Sequence, residues 1–179
     1  GLIKKKKELS VDQIEMTFAV NYLAVYRLTM GLIKGGLIPK KIINITSELF
    51  KKGKVDIDDI IDPKKFNGLK AYNNSKMALM HFSYEIVNQY GDSTSLFAVH
   101  PGVIATNAFR EYPKWVSKLL NKFLEKPESA AKKISELVSN DDMKPGYYYH
   151  QNKIQEQIES YVNKELSRQL MVFSKTYTV

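Results

Sequence analysis

The sequence predicts an α/β domain, a parallel sheet with helices on both faces. Three observations predict it. Short β-branched runs alternate with longer helical stretches, in the order helix, strand, helix, strand, helix, strand, helix. The first helical stretch is apolar nearly all round, as a helix buried between layers must be. Polar side chains cluster just after the carboxyl ends of the first two strand-type runs, where open parallel sheets do their chemistry.

Length and composition set the frame for those elements. The 179 residues are enough for one domain with a real core, read here as spanning 1–179. Charged residues make up only 26% of the chain, so it reads as folded and not disordered. With no cysteine, disulfides, thiolate zinc sites and thiol catalysis are excluded. The net charge is +8 and Lys4–Lys7 form a run, but the lysines are scattered and interleave with no aromatic motif, so no nucleic-acid partner is expected. No apolar run is read as long enough to span a membrane, and the start has no signal-peptide pattern. Any anchor is therefore expected outside these residues, and localisation stays open between cytoplasmic and membrane-associated.

Taken in order, residues 1–9 read as a basic loop. Ser10-Val-Asp-Gln13 has the form of a capping box, which predicts a helix over 11–34 ended by Gly35-Gly36. Asn21 sits mid-helix, where asparagine is a poor helix former; such an amide either is solvated or locally bonded, or else holds a water or disturbs the helix. Lys41–Thr46 is a β-branched strand with Ser47 at its end. Residues 48–70 read as a polar loop with room for a short helical turn. Leu79, Phe82 and Ile86 give the next helix, 71–89, its apolar stripe. Ser95–Val99 is a second strand, stopped by Pro101-Gly102. The stretch 107–126, with Trp115, Leu119, Leu120 and Phe123, is an amphipathic lid or partner surface. Pro127 opens a helix to about 139, Tyr147–Tyr149 is a third strand, and a last helix runs over 157–174.

Chemistry enters with Ala71-Tyr-Asn-Asn-Ser-Lys76. Tyr72 and Lys76 stand one helical turn apart and share a face. A free phenol ionises near pH ~10, and a neighbouring ammonium is expected to bring it down. The pair is a candidate proton-transfer device. Taken alone, a tyrosine and a lysine four apart are more often solvated surface. The three histidines, His81, His100 and His150, have no metal-ligand spacing and are read as neither catalytic nor ligating; no metal is expected. The carboxylate pairs Glu111/Glu125 and Asp141/Asp142 read as solvated charge.

Four pieces together carry a resemblance: Val20-Asn21-Tyr-Leu-Ala24, Ile42-Ile-Asn-Ile-Thr-Ser47, Tyr72-Asn-Asn-Ser-Lys76 and His100-Pro-Gly-Val-Ile-Ala-Thr106. In this order and with these gaps they resemble the short-chain dehydrogenase/reductase family, and its retinol-dehydrogenase-like branch in particular. The resemblance covers almost all of the chain and implies a Rossmann-like fold that is amino-terminally incomplete. The family's Gly-x-x-x-Gly-x-Gly turn, which cradles the cofactor pyrophosphate, has no match among the nine glycines. The strand at 42–46 is accordingly expected to keep a bare edge. The resemblance implies Tyr72 as acid/base, Lys76 lowering its pKa and binding the nicotinamide ribose, Ser47 holding the substrate oxygen, and Asn21 fixing a relay water. It implies cofactor contacts from Tyr72, Lys76, Pro101, Gly102, Val103 and Thr106, with NADP or NAD as cofactor and a small, hydrophobic alcohol or carbonyl as substrate. A homodimer through helices 11–34 and 71–89 is the family-like assembly, and weak NAD(P)H binding by these 179 residues alone is the expectation. Two other readings stay open: a catalytically inactive relative acting as a binding or scaffold protein, and an unrelated flavodoxin-like module, which matches the alternation but not the Ser/Tyr/Lys order.

Overall fold

The computed structural model describes residues 1–102 and 127–177. Its centre is a four-stranded sheet in the order β1 (Lys41–Ile45), β2 (Ser95–His100), β3 (Tyr147–His150), β4 (Lys153–Gln157). β1 pairs in parallel with β2, and β2 with β3, as the alternation of strands and helices requires. β4 departs from the expected all-parallel sheet. It turns back from β3 as an antiparallel edge strand, with Gln151 at the turn in a left-handed conformation, φ 55°. Every residue of β4 is exposed, so no apolar pattern announces it; only backbone pairing makes it a strand.

Side chains along the strands alternate between two cores. Leu96, Ala98 and Tyr148 face one core, whereas Phe97, Val99 and Tyr149 face the other. The first core is closed by three helices: α1 (Met16–Lys34), α3 (Gly68–Tyr90) and α5 (Lys164–Lys175). The second is closed by α4 (Pro127–Ser139) through Leu137. A short helix, α2 (Ile57–Ile61), and a 3₁₀ turn, Glu48–Lys52, lie between β1 and α3, in the stretch read as loop.

Local chemistry explains the ends. α1 does not begin at the Ser10 capping box. Leu9 instead bridges to Glu15, Gln13 turns the chain at φ 60°, and the buried Glu15 carboxylate caps the helix by accepting from the backbone N–H of Thr17 and Phe18 at 2.8 and 2.9 Å. Asn67 caps α3 by accepting from Lys70 N, and Asn163 caps α5 by accepting from Leu166 N, each at 2.9 Å. α5 therefore starts seven residues later than expected, because 153–157 is strand and Ile158–Tyr161 a 3₁₀ turn.

α1 is 19 residues long and apolar enough, by length and composition, to cross a membrane. That corrects the sequence reading, which found no such run. Here it is a core helix: Tyr22 and Tyr26 are fully buried and pack edge-on against Phe82 of α3, at ring separations of 6.4 and 5.3 Å. The Tyr22 phenol also meets the Ser174 hydroxyl of α5 at 2.6 Å. Among the described residues β1 has no strand on its outer side, as the bare-edge expectation required.

Candidate active site

β1 delivers Ser47 to the carboxyl end of the sheet, and the turn after it folds back against α3. The approach is close: a Cβ on Gly53 would stand 2.3 Å from the Asn73 carbonyl oxygen. Lys54 N–H donates to Asn74 Oδ1 at 2.9 Å, fastening the turn to the helix that carries Tyr72. The Ser47 hydroxyl thereby stands near enough to the Tyr72 phenol to favour its ionisation, although the two residues are 25 positions apart in the chain.

Lys76 lies one turn along α3, buried, with its Nζ 5.7 Å from the centroid of the Tyr72 ring. It donates to the Ile45 carbonyl at 2.9 Å. Burial pushes its pKa down to about 8, so it remains mostly protonated at neutral pH. The expected lowering of the Tyr72 pKa by Lys76 is not what this arrangement produces. Burial raises the phenol above its ordinary value, and the Ser47 hydrogen bond opposes that rise. The ammonium lies over the ring face and is turned to a carbonyl, so its charge does little for the phenolate.

Asn21 sits in a five-residue π-helical turn, Ala19–Leu23, within α1. The mid-helix asparagine does disturb the helix, as one of its two sequence readings held. Its Oδ1 accepts from Leu2 N at 2.7 Å; its Nδ2 donates to Leu2 O at 2.9 Å and to Ser75 Oγ at 3.1 Å. The amide is a clamp, pinning the amino-terminal segment at Leu2 to α1 and, through Ser75, to the turn of α3 just before Lys76. A Cβ placed on Gly1 would lie 3.4 Å from Asn21 Oδ1 and 3.6 Å from Lys76 Nζ, so the two groups face the same small space.

Pro101 and Gly102 are buried at the end of β2, with Gly102 at φ 102°, a conformation that only glycine adopts without strain. Val103 and Thr106, the remaining expected cofactor contacts, lie outside the described residues, as does the stretch 107–126. A groove of about 450 Å³ runs along the outer side of β1, lined by Asn21, Lys76 and Ile45 at one end and by Val25, Leu28 and Leu32 further along.

Glu48, which the sequence reading did not single out, and His100 and His150, which it read as neither catalytic nor ligating, also stand at this end of the sheet. Glu48, next to Ser47, accepts from Lys51 Nζ at 2.6 Å and from the Tyr148 phenol, and lies 3.2 Å from His150 Nδ1. The His150 and His100 rings meet edge-on at 4.9 Å. His100 is buried, its Nδ1 has no hydrogen-bond partner among the described residues, and burial lowers its pKa to about 4. The available signal was position: Glu48 follows the candidate serine directly, and His100 precedes Pro101-Gly102.

This architecture recurs in solved structures. It superimposes on an uncharacterized protein from Mycobacterium paratuberculosis with a TM-score of 0.71 at 16% identity, over 98% of this chain and 63% of that one. It also matches 4-hydroxyisoleucine dehydrogenase complexed with NADH, TM-score 0.54 and 21% identity, over 82% of this chain and 63% of that one. The fold is thus a Rossmann-like α/β sheet. No protein-family model matches the chain. Among curated proteins it is 28% identical to human retinol dehydrogenase 14 over 176 residues, 92% of this chain and 52% of that protein. It is 32% identical to human retinol dehydrogenase 13 over 114 residues, 62% of this chain and 34% of that protein. The chain is thus similar to retinol dehydrogenases, and it spans about half the length, or less, of the curated relatives it matches.

Proposed function

We propose that these residues form the catalytic half of an NAD(P)-dependent oxidoreductase that interconverts an alcohol and a carbonyl. The observation that carries the reading is Tyr72 with the buried Lys76 ammonium over its ring, 5.7 Å from the centroid, and with the Ser47 hydroxyl near enough to favour ionisation of the phenol. Two neighbouring hydroxyls hold a substrate oxygen from two directions, and the phenol is placed to give it a proton in reduction or take one in oxidation. Bound nicotinamide dinucleotide supplies or accepts the hydride. The residues fit its nicotinamide-ribose half: Lys76 brings a buried ammonium that spends one N–H on Ile45, and the left-handed Gly102 lets backbone approach closely. Asn21 and Lys76 face one small space, and a single water there would link them as a proton relay. NAD and NADP both remain compatible with these contacts.

The name of the related retinol dehydrogenases favours an apolar alcohol or aldehyde as substrate, of retinoid or steroid type. Dimerisation would use exposed Val20 and Leu28 on α1; α3 offers less, since α5 lies across it with the Ser167 hydroxyl on His81 Nδ1 at 2.7 Å. One observation favours the alternative of a binding or scaffold protein without turnover: burial leaves the Tyr72 phenol harder to ionise, not easier.

Tyr72→Phe separates the two readings. Assayed in a full-length form carrying a phosphate-binding turn, with NADH or NADPH and an apolar alcohol or aldehyde, the variant is expected to lose about 10²–10⁴-fold in kcat while cofactor binding largely holds. Wild-type-like turnover in Tyr72→Phe would remove the phenol from the chemistry, and a wild-type chain that binds cofactor without turnover would leave the scaffold reading standing.

A further inference from the structure

Ser47 ends β1 and caps the 3₁₀ turn Glu48–Lys52. Its Oγ accepts from Leu49 N at 3.3 Å and its carbonyl from Phe50 N at 2.9 Å. These are bonds internal to the turn, and they do not say where the turn as a whole sits. On the α3 side it is located by Gly53 and Lys54. On the sheet side, the polar link from the turn to β3 is the Glu48 carboxylate. The Tyr148 phenol and His150 imidazole reach it from β3, and Lys51 reaches it from within the turn. Tyr148 is itself immobilised, fully buried and edge-on to Phe50 at 5.1 Å and Tyr161 at 5.7 Å. Lys51 covers both tyrosine rings, 5.6 and 5.7 Å from their centroids. Burial acts to raise the Glu48 pKa, but the hydrogen bonds from Lys51 and Tyr148 outweigh it and hold the carboxyl below its usual range, as an ionised anchor.

We propose that Glu48 is a positioning residue: gripped by Tyr148, His150 and Lys51, it fixes the turn that holds the Ser47 hydroxyl against Tyr72. The inference rests on the proposed function for its meaning, since only an oxidoreductase needs Ser47 and Tyr72 to share one oxygen. It does not rest on turnover for its test. Without the carboxylate, the turn keeps its attachment to α3 and the packing of Phe50 but loses its polar tie to β3, and Ser47 swings with it. The group that reports this is Tyr72, whose ionisation the Ser47 hydroxyl favours.

The experiment labels tyrosine at the ring carbon bearing oxygen and follows the Tyr72 resonance, identified by its absence in Tyr72→Phe, through a pH titration of the whole chain. Ser47→Ala is expected to shift the Tyr72 midpoint upward. Glu48→Ala is expected to reproduce most of that shift, Glu48→Gln a smaller part, and Ser47→Ala with Glu48→Ala no more than Ser47→Ala alone, because both act through one hydrogen bond. Should Glu48→Ala not fold, Glu48→Gln and Tyr148→Phe each remove one arm of the grip and carry the same comparison. A Tyr72 midpoint unchanged by the Glu48 variants, or shifts that add in the double variant, would overturn the positioning role while leaving Ser47 and Tyr72 paired. A midpoint that Ser47→Ala itself leaves unmoved would overturn the pairing behind the proposed function, and the positioning role with it.

Discussion

Gly53 is where the geometry of the site is most sharply tested. Its backbone lies at φ −78°, ψ 148°, an extended conformation that alanine adopts freely. By conformational entropy alone, Gly53→Ala would stabilise the fold by about 0.4–1 kcal/mol. Space decides otherwise. The new Cβ would stand 2.3 Å from Asn73 O, 2.8 Å from Asn73 C and 2.8 Å from Met77 Cβ, where carbon contacts are comfortable near 3.5–4.0 Å. Two of those atoms are helix backbone, which cannot swing aside, so the turn must lift off α3 by about 1 Å. Overpacking of this kind costs about 1–3 kcal/mol. The net expectation is a loss of about 1–2 kcal/mol, read in urea unfolding as a lower midpoint at unchanged slope. Gly31→Ala is the matched control. Among the described residues nothing lies within 4 Å of its Cβ in α1, so it should stabilise by about 0.5–1 kcal/mol. Gly53→Ala as stable as the parent, with Gly31→Ala behaving as stated, would refute the close docking of the Ser47 turn on α3.

Two further predictions concern buried polar groups. Asn21→Ala leaves the backbone N–H and carbonyl of Leu2 unpaired in a buried setting, and should cost about 2–3 kcal/mol by chemical denaturation; a neutral substitution would mean that the clamp on the amino-terminal segment does not hold in solution. His81 and His100 are both buried, and burial lowers each pKa from 6.5 to about 4. Between those values the unfolded chain binds the proton and the folded chain does not. Stability is therefore complete above about pH 6.5 and falls as the pH drops toward 4, by on the order of 3 kcal/mol for each histidine. Unfolding free energies at pH 7 and 4.5 check the sign, and His81→Gln should flatten the dependence.

What the sequence disclosed was whatever leaves a pattern in side chains. The three parallel strands were legible because Ile42, Leu96 and Tyr148 face one core while Ile43, Phe97 and Tyr149 face the other, which demands apolar residues without a break. The placement of Ser47 at a strand end and of Tyr72 at the next helix start was legible in the pattern, whereas a shared role for the two was what the resemblance implied. β4 was not legible, since its exposed residues have nothing to bury. Nor was the true start of α1: Ser10 has the right chemistry for a cap, but the Leu9–Glu15 bridge takes that stretch out of the helix and leaves the capping to Glu15. Glu48 was hidden for a third reason. Its partners, Tyr148 and His150, lie a hundred positions away, and no spacing rule reaches that far.

Three pieces of irregular or tightly docked backbone lie near the candidate site, while Gln13, Gly36, Gly146 and Gln151 adopt positive φ elsewhere. The π turn of α1 carries Asn21, the tight docking at Gly53 follows Ser47, and the left-handed Gly102 ends β2. A π turn inserts one extra residue into a helix and weakens its ladder, a close approach excludes every side chain but hydrogen, and positive φ excludes nearly every residue but glycine. None of the three is needed to pack a sheet between helices. Two of them carry candidate-site groups: the π turn sets the Asn21 amide in the same small space as the Lys76 ammonium, and the turn docked at Gly53 follows Ser47, whereas Gly102 ends the neighbouring strand. The raised Tyr72 pKa sets a further requirement. A buried phenol becomes a usable base only when positive charge arrives near its oxygen, and Lys76, now turned to Ile45, already holds that charge one helical turn away.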